Sequence, residues 1–128
     1  MLLLNLSGHP VSKEITDHGY EVTEPSDPLQ FDVSSASHLA GEVERLMGIF
    51  IEGLNPAQKQ ALLVGKYVIL PPGLAPAAIV TVAYLHGVTG HFPRILWMVR
   101  GQDQEFHPIE NPLPVQAVRD AARARRFI

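Results

Sequence analysis

Apolar positions alternate between short runs and helical stripes along the chain. Leu2, Leu3, Leu4 and Leu6 form a nearly continuous apolar run that Ser7-Gly8-His9-Pro10 breaks, the pattern of a buried strand ending in a turn. A brief helix follows from Ser12, with Ser12 as its cap and Glu14 in its first turn. Tyr20-Glu21-Val22-Thr23 alternates weakly as a second strand, and Pro25 and Pro28 bracket a turn. From His38 to Leu54, Leu39, Val43, Leu46, Met47, Phe50, Ile51 and Leu54 recur at steps of three and four, which predicts an amphipathic helix. Ser34, Ser35 or Ser37 supplies its cap, and Gly53 with Asn55-Pro56 its stop.

A shorter helical turn spans Asn55 to Leu63, and Lys66-Tyr67-Val68-Ile69-Leu70 reads as a strand ended by Pro71-Pro72-Gly73. Pro76 suits the first turn of a helix over Ala77–His86, with Gly87 and Gly90 offering its end. That helix is apolar on nearly every side, so burial in this chain or against a second copy is expected. Arg94 to Arg100 reads as one further strand, with Gly101-Gln102-Asp103 as its exit loop. Phe106 to Pro114 is proline-rich and irregular, with room for one edge strand. Val115, Val118 and Ala122 mark the apolar face of a last helix, surrounded by Arg119, Arg123, Arg125 and Arg126. Strand and helix alternate four times. The expected fold is α/β: a single Rossmann-like domain over residues 1–128, its sheet mostly parallel with helices on both faces.

Composition narrows the function classes. At 128 residues the chain has the length of one ordinary domain, and 46% hydrophobic content supports a core. The absence of cysteine excludes disulfides, thiolate metal sites and cysteine nucleophiles. A net charge of −3 argues against coating DNA, so no DNA partner is expected. The charge is unevenly divided: residues 1–60 hold nine acids and three bases, and residues 61–128 hold four acids and seven bases. An anionic ligand is therefore favoured by the second half. The apolar run at Leu2–Leu6 is too short for a signal segment or a membrane span, so no membrane partner and a cytoplasmic location are expected.

Ligands of open α/β sheets bind outside the carboxyl ends of the strands. Three such ends stand out: Asn5-Leu6-Ser7-Gly8-His9, Pro71-Pro72-Gly73-Leu74 and Arg100-Gly101-Gln102. In a parallel sheet they share one rim. Gly8 and Gly73 permit close backbone approach, and the helix starts that follow present amides to an anion. Asn5 and Ser7 can donate to phosphate or base edges. His9 can hydrogen-bond, stack or move a proton, and Arg100 can pair with phosphate or stack on a purine. Strand-end turns of this composition also occur with no ligand. No phosphate-binding glycine loop, dinucleotide fingerprint or nucleophile elbow is present. His86 and His91, five apart and straddling two glycines, do not share a helix face, so no metal and no cofactor are expected. His86 reads as ending its helix and His91 as lying in the following turn, while His18, His38 and His107 read as surface residues. Asp120 is flanked for pairing by Arg119 and Arg123. Arg125-Arg126 either complements the dipole of its helix or reaches a phosphate on a partner chain.

Three segments carry a resemblance. Leu2-Leu3-Leu4-Asn5-Leu6-Ser7-Gly8-His9-Pro10-Val11-Ser12 resembles the opening of the small CRISPR-associated accessory proteins of the Csx type. Leu85-His86-Gly87-Val88-Thr89-Gly90-His91-Phe92-Pro93-Arg94-Ile95 is similar to their helix-to-strand connection before the penultimate strand. Leu70-Pro71-Pro72-Gly73 resembles the loop before the helix at their nucleotide site. The resemblance implies a CARF-like fold, a CRISPR-associated Rossmann-like sheet, acting in type III antiviral defence. It further implies a homodimer that holds a cyclic oligoadenylate second messenger across its two-fold axis, with Ser7, Gly8, His9, Pro72 and Gly73 at the ligand. Asn5, Arg100 and Gln102 join that set from the rim argument. The expectation is sequestration of the messenger, cyclic tetra-adenylate being the ring size the resemblance favours. One alternative is a metal-independent ring nuclease using His9 and Ser7; another is a dimeric adaptor without a ligand. A two-fold ligand could also bridge dimers into stacks.

Overall fold

A computed structural model describes residues 1–27 and 29–127; Pro28, expected to close a turn with Pro25, lies outside the described residues. The elements run β1 (Leu2–Asn5), α1 (Lys13–Asp17), β2 (Glu21–Thr23), α2 (Ala36–Glu52), α3 (Pro56–Leu63), β3 (Tyr67–Leu70), α4 (Ala75–Thr89), β4 (Arg94–Ile95), β5 (Met98–Arg100), β6 (Phe106–Pro108), β7 (Leu113–Pro114) and α5 (Val115–Ala124). Five strands form one sheet in the order β2-β1-β3-β4-β7, parallel except for β7 at the edge. In β1, Leu3 sits opposite both Val22 and Val68, and Leu4 opposite Thr23 and Ile69.

The apolar run of β1 is continuous because both faces of the sheet are covered. Leu2, Leu4 and Leu6 pack with Tyr67 and Ile69 against Leu39, Val43, Met47 and Phe50 of α2, Leu62 of α3, and Ala77 and Leu85 of α4. Leu3 points the other way and joins Val68, Leu70 and Leu96 against Ile15 of α1. Crossover handedness explains the split. The path from β1 to β2 runs in one direction along the sheet, and the paths to β3 and β4 run back, so helices of equal handedness land on opposite faces. The order reverses between β1 and β3, which makes their carboxyl ends the switch point of the sheet.

Local chemistry sets the helix ends. The Ser35 hydroxyl accepts from the His38 amide at 3.2 Å, choosing among the three candidate caps of α2. Asn55 and Gln58 form a reciprocal capping box at 2.8 and 3.0 Å, which starts α3. The α4 helix runs past Gly87 to Thr89 and stops at Gly90, whose φ of 79° is the left-handed conformation. Burial pushes the Tyr67 hydroxyl up to about 12, and it donates to the His91 carbonyl at 2.9 Å, tying β3 to the turn after α4.

The structure alters one expectation and sharpens two others. Arg94 to Arg100 is two strands. Leu96 donates to the Ile69 carbonyl at 2.9 Å, but β3 then gives way to Pro71-Pro72, which offers no amide donor. The chain turns away at Trp97 and pairs antiparallel with β6 in a separate two-stranded sheet, Met98 opposite Pro108 and Arg100 opposite Phe106. The irregular stretch to Pro114 thus holds two strands, β6 and β7. Secondly, α4 buries a single side, Ala77, Thr81, Leu85 and Thr89 at i+4 spacing, and leaves Ile79 69% exposed. Thirdly, α5 keeps its apolar stripe but buries none of it, Val118 being 56% exposed. No helix among the described residues is long and apolar enough to cross a membrane.

Two glycines separate backbone strain from steric exclusion. Gly90 and Gly65 both have positive φ, but a Cβ on Gly65 would lie 2.9 Å from the His91 ring, whereas one on Gly90 would meet nothing within 4 Å. Gly90→Ala is expected to cost about 1 kcal/mol, the left-handed penalty alone, and Gly65→Ala about 2 kcal/mol or more. Urea denaturation of the two variants checks this; equal losses would show that the His91 ring moves aside freely.

Candidate functional site

The carboxyl end of β1 is organised by one amide. Asn5 is 3% exposed, and its side chain satisfies four contacts. Nδ2 donates to the His9 carbonyl at 2.7 Å and to Glu24 Oε2 at 2.9 Å, while Oδ1 accepts from the Ser7 amide at 3.2 Å and the Ser7 hydroxyl at 2.6 Å. The Ser7 hydroxyl in turn accepts from the His9 amide at 3.2 Å. Gly8, at φ 77°, lets the chain double back. Leu6 anchors the turn to β3 by donating to the Leu70 carbonyl at 2.9 Å. Asn5 and Ser7 therefore build the turn rather than project from it. What the turn presents is His9, exposed at its tip.

This turn divides two cavities. One, of about 270 Å³, lies toward β2 and is lined by Asn5, Gly8, His9 and the acidic Glu24. The other, of about 380 Å³, lies at the switch point between Ser7–Ser12, Pro71-Pro72-Gly73 and Leu96-Trp97-Met98. Its floor is apolar, from Ile15, Leu70 and Leu96, and no carboxylate lines it among the described residues. The Ser12 hydroxyl is buried there with no hydrogen-bond partner; Ser12 starts α1 as expected but does not cap it with its side chain. α4 begins directly beyond Gly73, and its N-cap position, Leu74, offers no side-chain acceptor to the first amides. Open space surrounds Gly73, where a Cβ would meet nothing within 4 Å. The second cavity thus combines an apolar floor with the exposed imidazole of His9 at its edge. The first carries a carboxylate that repels an anion.

Of the three rim segments, two converge. Ser7, His9, Pro72 and Gly73 line the switch-point cavity together; Asn5 and Gly8 line the smaller one. Arg100 and Gln102 line neither, because β5 leaves the sheet and carries them to the turn of the hairpin. There the Arg100 guanidinium stacks over the Phe106 ring, 4.9 Å from its centre. The residues at the true carboxyl end of β4 are Leu96 and Trp97, hidden in the sequence inside what reads as one continuous strand.

His107 is not an isolated surface residue. Its Nδ1 lies 2.8 Å from Glu14 Oε2 on α1, and its Nε2 lies 2.8 Å from Asp103 Oδ2 in the hairpin turn. Hydrogen bonds to Glu14 and then Asp103 hold the imidazole above its ordinary pKa. Asp103 is held below the usual carboxylate range, first by the Glu105 amide and then by His107. This bridge fastens the hairpin, and with it the Met98 wall of the cavity, to α1. The other histidines lie apart. His86, in the last turn of α4 rather than at its end, stacks on Phe92 at 4.0 Å; His91 packs on Gly65 in the turn; His38 pairs with Asp32 at 3.2 Å; and His18 meets the Glu14 carbonyl. Asp120 pairs with Arg119 at 2.9 Å, and its second partner is Gln116 rather than Arg123.

Comparison with protein-family models, curated proteins and solved structures yields no match.

The His107 bridge gives stability a defined pH dependence. A raised native pKa stabilises fully below the ordinary value of 6.5, and the contribution fades as pH rises through the native value. Asp103, shifted the other way, contributes above its ordinary 3.8 and loses that contribution as pH falls through its native value. The urea midpoint of wild type should exceed that of His107→Gln most clearly between those two limits, with the gap closing at higher pH. A gap constant with pH would mean that charge plays no part in the bridge.

Proposed function

We propose that the chain binds a cyclic oligoadenylate, cyclic tetra-adenylate, at the switch-point cavity of a homodimer and sequesters it, damping type III CRISPR signalling in the cytoplasm. The observation that carries this reading is the cavity free of carboxylates at the meeting of β1 and β3, with His9 on one lip and Gly73 and the start of α4 on the other. The imidazole, with the uncapped start of α4 just beyond Gly73, suits a phosphate, and the apolar floor suits a base. Of the segments that meet here, Leu2–Ser12 resembles the opening of the Csx-type proteins and Leu70–Gly73 the loop before the helix at their nucleotide site, and the sheet order is compatible with a CARF-like layer. The dimer is supported by the outward side of α4, opposite its buried stripe, where Ile79 is 69% exposed. α4 starts at the lip of the cavity, so a partner packed on it near that end brings a second cavity close, as a two-fold ring requires.

Sequestration is favoured over cleavage by the chemistry of the lining. In-line attack of a 2′-hydroxyl needs stabilisation of charge on the phosphoryl oxygens. No lysine or arginine lines the cavity among the described residues, and the Ser7 hydroxyl is engaged with Asn5 and the His9 amide.

The decisive assay incubates the protein with labelled cyclic tetra-adenylate, followed by a native gel and a denaturing chromatogram. A shifted band with intact ligand is expected. Linear product over multiple turnovers would make the protein a ring nuclease, and no shift at micromolar protein would leave the ligand-free adaptor. His9→Ala should weaken binding by roughly 1–3 kcal/mol, the cost of leaving a buried polar partner unpaired. Arg100→Ala, on the hairpin, should leave it unchanged.

A further inference from the structure

We infer that Trp97 is the stacking platform of a purine-base subsite, and that the switch-point cavity takes one base of the ligand rather than the whole ring. This inference rests on reading the cavity as a nucleotide site and adds to that reading the group it recognises. Size comes first. At about 380 Å³ the cavity stands at the low end of small-molecule sites, which run from about 300 to 1,000 Å³. That is room for one base, with the rest of a tetranucleotide ring and its phosphates outside, at the lip near His9 and Gly73.

Trp97 has the attributes of a platform. Its backbone is held from both sides: the preceding Leu96 donates to the Ile69 carbonyl at 2.9 Å, and the Trp97 carbonyl accepts from the Ile109 amide at 3.0 Å. Leu96 is buried, yet the indole beside it is 41% exposed at the cavity wall. A large aromatic ring on a fixed backbone, left uncovered beside an apolar floor, loses little entropy when a flat ring packs on it. Pro71-Pro72-Gly73 also lines the cavity, rigid and without a long side chain to fill it. The lining carries no carboxylate to oppose the phosphate that a base brings with it.

Trp97 is the only tryptophan of the chain, so its indole N–H gives a single NMR resonance. The ¹⁵N-labelled protein is titrated with cyclic tetra-adenylate, with the heat of binding measured in parallel. Saturable movement of the indole resonance is expected. Trp97→Ala should weaken binding about tenfold or more, and Trp97→Phe, which keeps a stacking face, about threefold or less. Heat of binding with an unmoved indole and an unaffected Trp97→Ala variant would overturn the base subsite and leave the messenger reading intact. If cyclic tetra-adenylate gives no heat, adenosine 5′-monophosphate and ribose 5-phosphate are compared at millimolar concentration. Movement of the indole by the nucleotide alone upholds the subsite and removes the cyclic messenger; no movement by either overturns both.

Discussion

The fold depends on the double pairing of β1. Leu2 to Leu4 pair in parallel with β2 on one side and Leu2 to Asn5 with β3 on the other, and their side chains are buried on both faces of the sheet. Buried amides and carbonyls without partners would each carry a large desolvation cost, so this strand requires both neighbours. Its two ladders force the chain to leave β1 in one direction and return in the other. That reversal creates the crevice at the carboxyl rim, with α1 behind one face and α2 and α4 behind the other.

At the end of that strand a polar residue is buried in an otherwise apolar run. Asn5 is tolerated because each of its side-chain groups finds a partner. The result is a rigid turn whose architecture costs it two of its donors, Asn5 and Ser7, and whose output is the placement of His9. The polar groups of this rim are therefore divided: the buried ones fix the geometry, while the His9 imidazole and the Trp97 indole reach solvent.

The legible parts of the sequence were those with a period or a local partner. The stripe from Leu39 to Leu54 defined α2 because three- and four-residue spacing has one structural meaning, and Ser35 and Asn55 cap over distances of three residues. The first two rim segments were legible because a buried strand followed by turn residues must end there. Arg94 to Arg100 misled because β propensity reports an extended chain and not its partner. Only the loss of donors at Pro71-Pro72, on another strand, shows why Trp97 turns away, taking Arg100 and Gln102 off the rim and leaving Trp97 on it. His107 and Glu14 stand 93 residues apart, and no local pattern joins them. The all-round apolarity of α4 was visible, but which side faced this chain's core was decided by its packing on α2 and the sheet.

The central place of β1 also governs the route by which the molecule forms. Leu2 pairs with Tyr67, and the sheet cannot close until that long loop does. Loop closure of this span is an entropic toll collected before any ladder bond between β1 and β3 repays it. Until then the leucines of β1 lack their covering and are the surface on which chains stick to one another. The helices α2 and α3 carry caps that need no distant contact, whereas the crevice exists only once the ladder between β1 and β3 is made.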